Sequence, residues 1–131
     1  MNPLLTRDYR PLLKMWIPGE PVPKGRPRLG ANGNVRTPES TVDGENWVRS
    51  CLIQATVGMT INPKGEFEVL VFYFCRSKVT DLDNLIKLDL DALNGYVWMD
   101  DRQVTHIDAT LYRIEQDLDP GTQLVINQLL M

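Results

Sequence analysis

A chain of 131 residues, 43% of them apolar, is sized for one domain with its own core, which sets aside disorder and any need for disulfide staples. It holds no run of ~20 apolar residues and no apolar stretch after the basic residues near Met1, so a soluble, cytoplasmic protein without a membrane partner is expected. The net charge of −3 conceals a division: residues 1–80 carry 11 Lys/Arg against 7 Asp/Glu, and residues 81–131 carry 3 against 10.

In chain order, residues 1–12 read as a short polar arm, and Leu13 to Pro18 as a first strand stopped by Pro18-Gly19. Gly19 to Arg28 is stiff and basic. Pro21, Pro23 and Pro27 remove backbone donors, so this segment is an edge strand or a loop. Asn32-Gly33-Asn34 supplies a tight turn, with Val35-Arg36 as a short returning hairpin arm. Ser40 to Asp43 offer helix-start residues, and Trp47, Cys51, Leu52 and Ala55 form one apolar helical stripe closed by Gly58.

Glu66 to Arg76 is the strongest strand. It is apolar at every position from Val69 to Cys75, which predicts a central strand buried on both faces. Thr80 or Asp81 opens a second helix to about Asn94, with Leu85, Leu88 and Ala92 inward and Asn94-Gly95 as its stop. Val104 to Ile114 alternates, with Ile107, Ala109 and Leu111 on a buried face. The tail, residues 120–131, is open between strand, helix and dimer contact. The order β-(β)-α-β-α-β predicts an α+β fold: one domain, residues 1–131, with a mixed sheet of about four strands and two main helices packed on it. Cys51 and Cys75 read as core thiols, and His106 as a structural residue of its strand.

The informative stretch is Asp81-Leu82-Asp83-Asn84-Leu85-Ile86-Lys87, followed after the helix by Asp100-Asp101. Side chains two apart in extended backbone point the same way, so Asp81 and Asp83 would face one site at the end of a buried strand. Lys87 follows Asp83 by one helical turn on the same side. Crowded carboxylates resist ionising unless a cation intervenes, and Mg²⁺ suits an oxygen-rich site. Such an ion lowers the pKa of bound water and neutralises charge on a phosphate, which points to phosphodiester hydrolysis with Lys87 steadying the phosphate. Taken singly, each acid also reads as a helix cap or a surface ion-pair partner. Calcium-loop, phosphate-loop and zinc patterns are absent from the sequence.

Three blocks carry a resemblance: Gly19-x-Pro21-x-Pro23-Lys24-Gly25-Arg26-Pro27-Arg28, then Asp81-Leu82-Asp83-Asn84-Leu85-x-Lys87-x-x-x-Asp91-Ala92-Leu93, then Trp98-x-Asp100-Asp101-x-Gln103-Val104. In this order over about residues 16–114 they resemble the RusA-type Holliday-junction resolvases. The resemblance implies a homodimer, a Mg²⁺ requirement that Mn²⁺ also meets, and paired nicks across four-way branched DNA. It carries the family's essential acids onto Asp81, Asp83 and Asp101 as metal ligands, and its lysine onto Lys87, with Asp100 as an adjacent metal-ligand candidate. A prophage origin is consistent with the family. Lys24, Arg26, Arg28, Arg36, Arg76 and Lys78 then become candidate phosphate contacts, whose affinity would fall with salt. Two other readings stay open, a non-catalytic junction-binding protein with a structural metal and a phosphohydrolase of small nucleotides.

Overall fold

The first strand, β1 (Tyr9–Pro18), alternates Leu13, Met15 and Ile17 with Lys14 and Trp16, and only the first set is buried. The computed structural model that shows this describes residues 7–30 and 33–130, apart from the side chain of Arg28. Half of the predicted arm and part of the predicted turn at Asn32 lie outside the described residues. The rest of the arm is not separate, because Tyr9 to Leu12 extend β1. A two-residue hairpin, β2 (Arg28–Leu29) against β3 (Val35–Arg36), follows the proline-rich segment.

The helices are α1 (Glu39–Ala55) and α2 (Leu82–Leu93), and the longer strands are β4 (Phe67–Cys75), β5 (Val104–Arg113) and β6 (Gly121–Leu129). They form one mixed four-stranded sheet in the order β1-β6-β4-β5, with β4 parallel to β5 and antiparallel to β6. The expected α+β domain with two helices is present. Its core gathers Val69, Val71, Tyr73 and Cys75 of β4 with Leu13, Met15 and Ile17 of β1 and Leu124 and Ile126 of β6. Val48 and Leu52 of α1 and Leu85, Leu88, Ala92 and Leu93 of α2 join it, as do Phe67, Val97 and Trp98. Among the described residues no helix is long and apolar enough to cross a membrane.

The tail, left open between strand, helix and dimer contact, is a strand: as β6 it lies inside the sheet between β1 and β4, hydrogen-bonded on both edges. Two expectations are corrected. The α1 stripe is rotated, with Thr41, Gly44, Val48 and Leu52 inward while Trp47 is half exposed and donates from Nε1 to Pro18 O at 2.8 Å. Gly44 decides this rotation, since a Cβ there would press into Val22 at 2.9 Å. β4 is central, but its second face is only half covered, by an aromatic row in which Phe74 lies 6.0 Å from Trp16 and 5.2 Å from Tyr112.

Gly121 sits directly beneath the Trp16 ring, where a Cβ would overlap it. We expect Gly121→Ala to cost about 1–3 kcal/mol through overpacking, read as a lower urea midpoint. An unchanged midpoint would mean that the indole swings aside freely.

Candidate active site

β4 ends at Cys75, and six residues later Asp81 occupies the N-cap of α2 in extended backbone (φ −91°, ψ 134°). Its carboxylate makes no capping hydrogen bond. Asp83, in the first helical turn, accepts, among the described residues, only from the neighbouring Asn84 N–H at 3.0 Å. Lys87 lies one turn on, and no ion pair joins it to Asp83. All three side chains are exposed at the positive end of α2. The surface pairing that would have made these residues unremarkable is therefore not formed, and two carboxylates and an ammonium remain open to an outside partner.

The proline-rich segment is wedged between the two helices beside this site. Lys24 N–H donates to Asn84 O on α2 at 2.9 Å, and Gly25 N–H to Thr41 Oγ1 on α1 at 2.8 Å. A side chain at Gly25 would meet Pro38 and Thr41 at 2.9 Å. Lys24 Nζ reaches Asp91 at 2.6 Å and Glu45 at 3.5 Å, while Glu45 also pairs with Arg49 at 3.2 Å. The hydrogen bond to Asp91 holds the Lys24 ammonium above its usual pKa. This lysine fastens the segment, so its charge is taken up within the fold. Arg26 is different: it is exposed, has no partner among the described residues, and with Lys87 lines a depression of about 220 Å³.

Of the other predicted cations, Arg36 is exposed on the hairpin, and the Arg28 side chain lies outside the described residues. Arg76 Nε donates to Leu118 O at 2.8 Å and Lys78 Nζ to Ile114 O at 3.3 Å, so both brace the β5–β6 turn. Two residues that the sequence reading passed over hold the loop between β4 and α2, from which Arg76 and Lys78 project. Glu20 accepts from the Arg76 and Ser77 N–H groups, and Arg113 donates to the Ser77 and Thr80 carbonyls. No local pattern could have shown this, because each partner is more than 30 residues away in sequence.

Asp101 does not join this group within the chain. β5 starts beside the start of β4, with Val104 opposite Phe67, so α2 has to carry the chain back the length of the sheet. Its twelve residues span roughly 18 Å. The buried Trp98 ring then packs on Phe67 at 5.6 Å, and Gln103 Nε2 donates to Pro63 and Gly65 carbonyls at 2.7 and 3.0 Å. These contacts fasten Asp101 to the end of the sheet opposite Asp81 and Asp83. Among the described residues no three His, Cys, Asp or Glu side chains gather closely enough to hold a metal. The predicted single-chain cluster is thus corrected. Asp100 has its own task, accepting from Arg102 N–H at 2.9 Å as the cap of the 3₁₀ turn Asp101–Gln103.

The family model for endodeoxyribonuclease RusA matches residues 18–127, from the end of β1 into β6. The chain belongs to the RusA family. A comparison with curated proteins gives no match. RusA membership makes the chain an endodeoxyribonuclease of the Holliday-junction type, and the matched span takes in the proline-rich wedge, the acids of α2 and the turn of Asp101. His106, in contrast, serves the fold as expected, its Nδ1 lying 2.8 Å from Glu68. Cys51 and Cys75 are free thiols.

Proposed function

We propose that this RusA-family chain hydrolyses phosphodiesters in branched DNA, four-way junctions above all, as a homodimer that uses Mg²⁺ or Mn²⁺. The observation that carries the reading is the open Asp81/Asp83 pair with Lys87 and Arg26 beside it. Mg²⁺ is commonly held by one or two carboxylates, its remaining positions going to waters and substrate phosphate, and Asp81 and Asp83 suit that donor set. When bound, the ion lowers the pKa of a coordinated water and neutralises phosphate charge. Lys87 donates to an oxygen of the scissile phosphate, and Arg26, lining the same depression, grips the strand.

Asp101 enters this reading from the second subunit. A two-fold axis running across the strands reverses their direction, which sets the Asp101 end of one protomer beside the Asp81 end of its partner. Each site then needs both chains, and the two sites lie in symmetric positions suited to paired nicks. Asp100, occupied with its turn, is left out of the ligand set.

A labelled four-way junction and a linear duplex, each incubated with Mg²⁺ or EDTA, test the proposal. Symmetric nicks in the junction that require the metal are expected, and equal cutting of both substrates would refute the structural preference. The cations separate in the same assay. Arg26→Ala should weaken junction binding and lower the salt slope by about one. Lys24→Ala should leave the slope alone and lower thermal stability instead, since it takes from Asp91 the ammonium that holds it while Glu45 keeps Arg49. A slope lowered by Lys24→Ala and untouched by Arg26→Ala would reverse these roles.

A further inference from the structure

We propose that Glu20 and Arg113 are positioning residues, gripping the loop between β4 and α2 from two sides and so setting the carboxylates of Asp81 and Asp83. The inference deepens the site reading above and rests on it. Residues 76–80 belong to no helix or strand, and all but Thr80 are partly or fully exposed. A loop of this kind does not by itself hold a carboxylate within the fraction of an ångström that catalysis requires.

The grip is bidentate on each side. Glu20 Oε1 accepts from Arg76 N–H at 2.8 Å and Oε2 from Ser77 N–H at 3.2 Å, so one carboxylate takes two consecutive amides. Arg113 Nη1 and Nη2 donate to Ser77 O and Thr80 O, both at 3.0 Å, a spacing that suits the rigid guanidinium fork and that a lysine cannot copy. Ser77 is thereby held through both its N–H and its C=O. Thr80, one peptide bond from Asp81, is tied again through Oγ1 to Ser77 Oγ at 2.8 Å. Glu20 follows β1 and Arg113 ends β5, the two edge strands, so the loop is referenced to both margins of the sheet. With its fork facing carbonyls, Arg113 is a brace and not a phosphate contact.

The test compares full-length Arg113→Lys, Glu20→Ala and Asp83→Asn with the parent. It measures single-turnover junction cleavage across a Mn²⁺ titration, junction binding in EDTA, and amide exchange over residues 76–80. Both clamp variants should bind the junction like the parent, cleave about 10- to 100-fold more slowly, and need more Mn²⁺ for half-maximal rate. Glu20→Ala should also speed exchange at Arg76 and Ser77. Glu20 is exposed, so this variant carries the test if Arg113→Lys does not fold. Parental cleavage by both clamp variants beside an inactive Asp83→Asn would overturn the clamp and leave the site standing. Junction binding lost in EDTA by Arg113→Lys would make Arg113 a DNA contact and overturn it too. An Asp83→Asn protein that cuts like the parent would remove the site reading, and the clamp with it.

Discussion

Subunits carrying Asp83→Asn, co-expressed with subunits carrying Asp101→Asn, are expected to regain junction cleavage that neither variant has alone. Each variant by itself should lose at least about 100- to 1,000-fold in rate, the scale on which removal of one electrostatic contact to a transition state is felt. In a mixed dimer with shared sites, one site receives both substitutions and the other receives neither. The intact site joins Asp81 and Asp83 of the Asp101→Asn chain to Asp101 of the partner subunit. Single nicks should therefore appear in place of paired ones. Were the three acids to act within one chain, every site of the mixed dimer would be damaged and the mixture would stay inactive. Asp83→Asn alone should still bind the junction at least as well as the parent, because one carboxylate–phosphate repulsion is gone.

Asp89 should cost stability progressively as the pH rises from about 4 to 7, and Asp89→Asn should remove that pH-dependent cost. Asp89 projects from α2 into the core and accepts from Tyr73 Oη at 2.6 Å, with no cation beside it among the described residues. Burial pushes its carboxyl up to about 7, the hydrogen bond from Tyr73 only partly opposing it, and burial likewise drives the Tyr73 phenol upward. The sign follows from the raised folded-state value. Below about pH 4 the group is neutral in both states and has no effect. Between there and pH 7 the unfolded chain releases its proton first, so the native state loses about 1.4 kcal/mol per pH unit. By neutral pH the loss from this one residue approaches roughly 4 kcal/mol. Urea denaturation of parent and Asp89→Asn at pH 5, 6, 7 and 8 measures it. Parallel stability profiles would show that Asp89 is already ionised in the folded protein at low pH.

Much of α2 was legible because its signals are local. Asp81 as an N-cap, Leu85, Leu88 and Ala92 at helical spacing, and Asn94-Gly95 as a stop predict a helix to within a residue or two of Leu82–Leu93. β4 was legible for the same kind of reason, an unbroken apolar run too short for a membrane span. The α1 face was misread because Trp47 and Cys51 score as apolar, while the residues that face inward include Thr41 and Gly44, chosen for close approach to Pro38, Gly25 and Val22. Tyr9 to Pro11 looked like part of an arm because their partners, Leu129 to Asn127, lie at the other end of the chain.

The candidate site divides in the same way. Residue order alone determined that Asp81, Asp83 and Lys87 share the start of one helix, since spacing along a helix is fixed by its 3.6-residue turn. It also determined the chemistry on offer, carboxylate oxygens beside an ammonium. Only the tertiary structure decided that Lys24 is tied to Asp91, that Glu20 and Arg113 hold the loop, and that Asp101 lies a helix-length away. The physical reason is the parallel pairing of β4 with β5. A parallel partner has to begin at the same end of the sheet, so whatever precedes β5 is carried away from whatever follows β4, and no pattern of neighbouring residues encodes that distance.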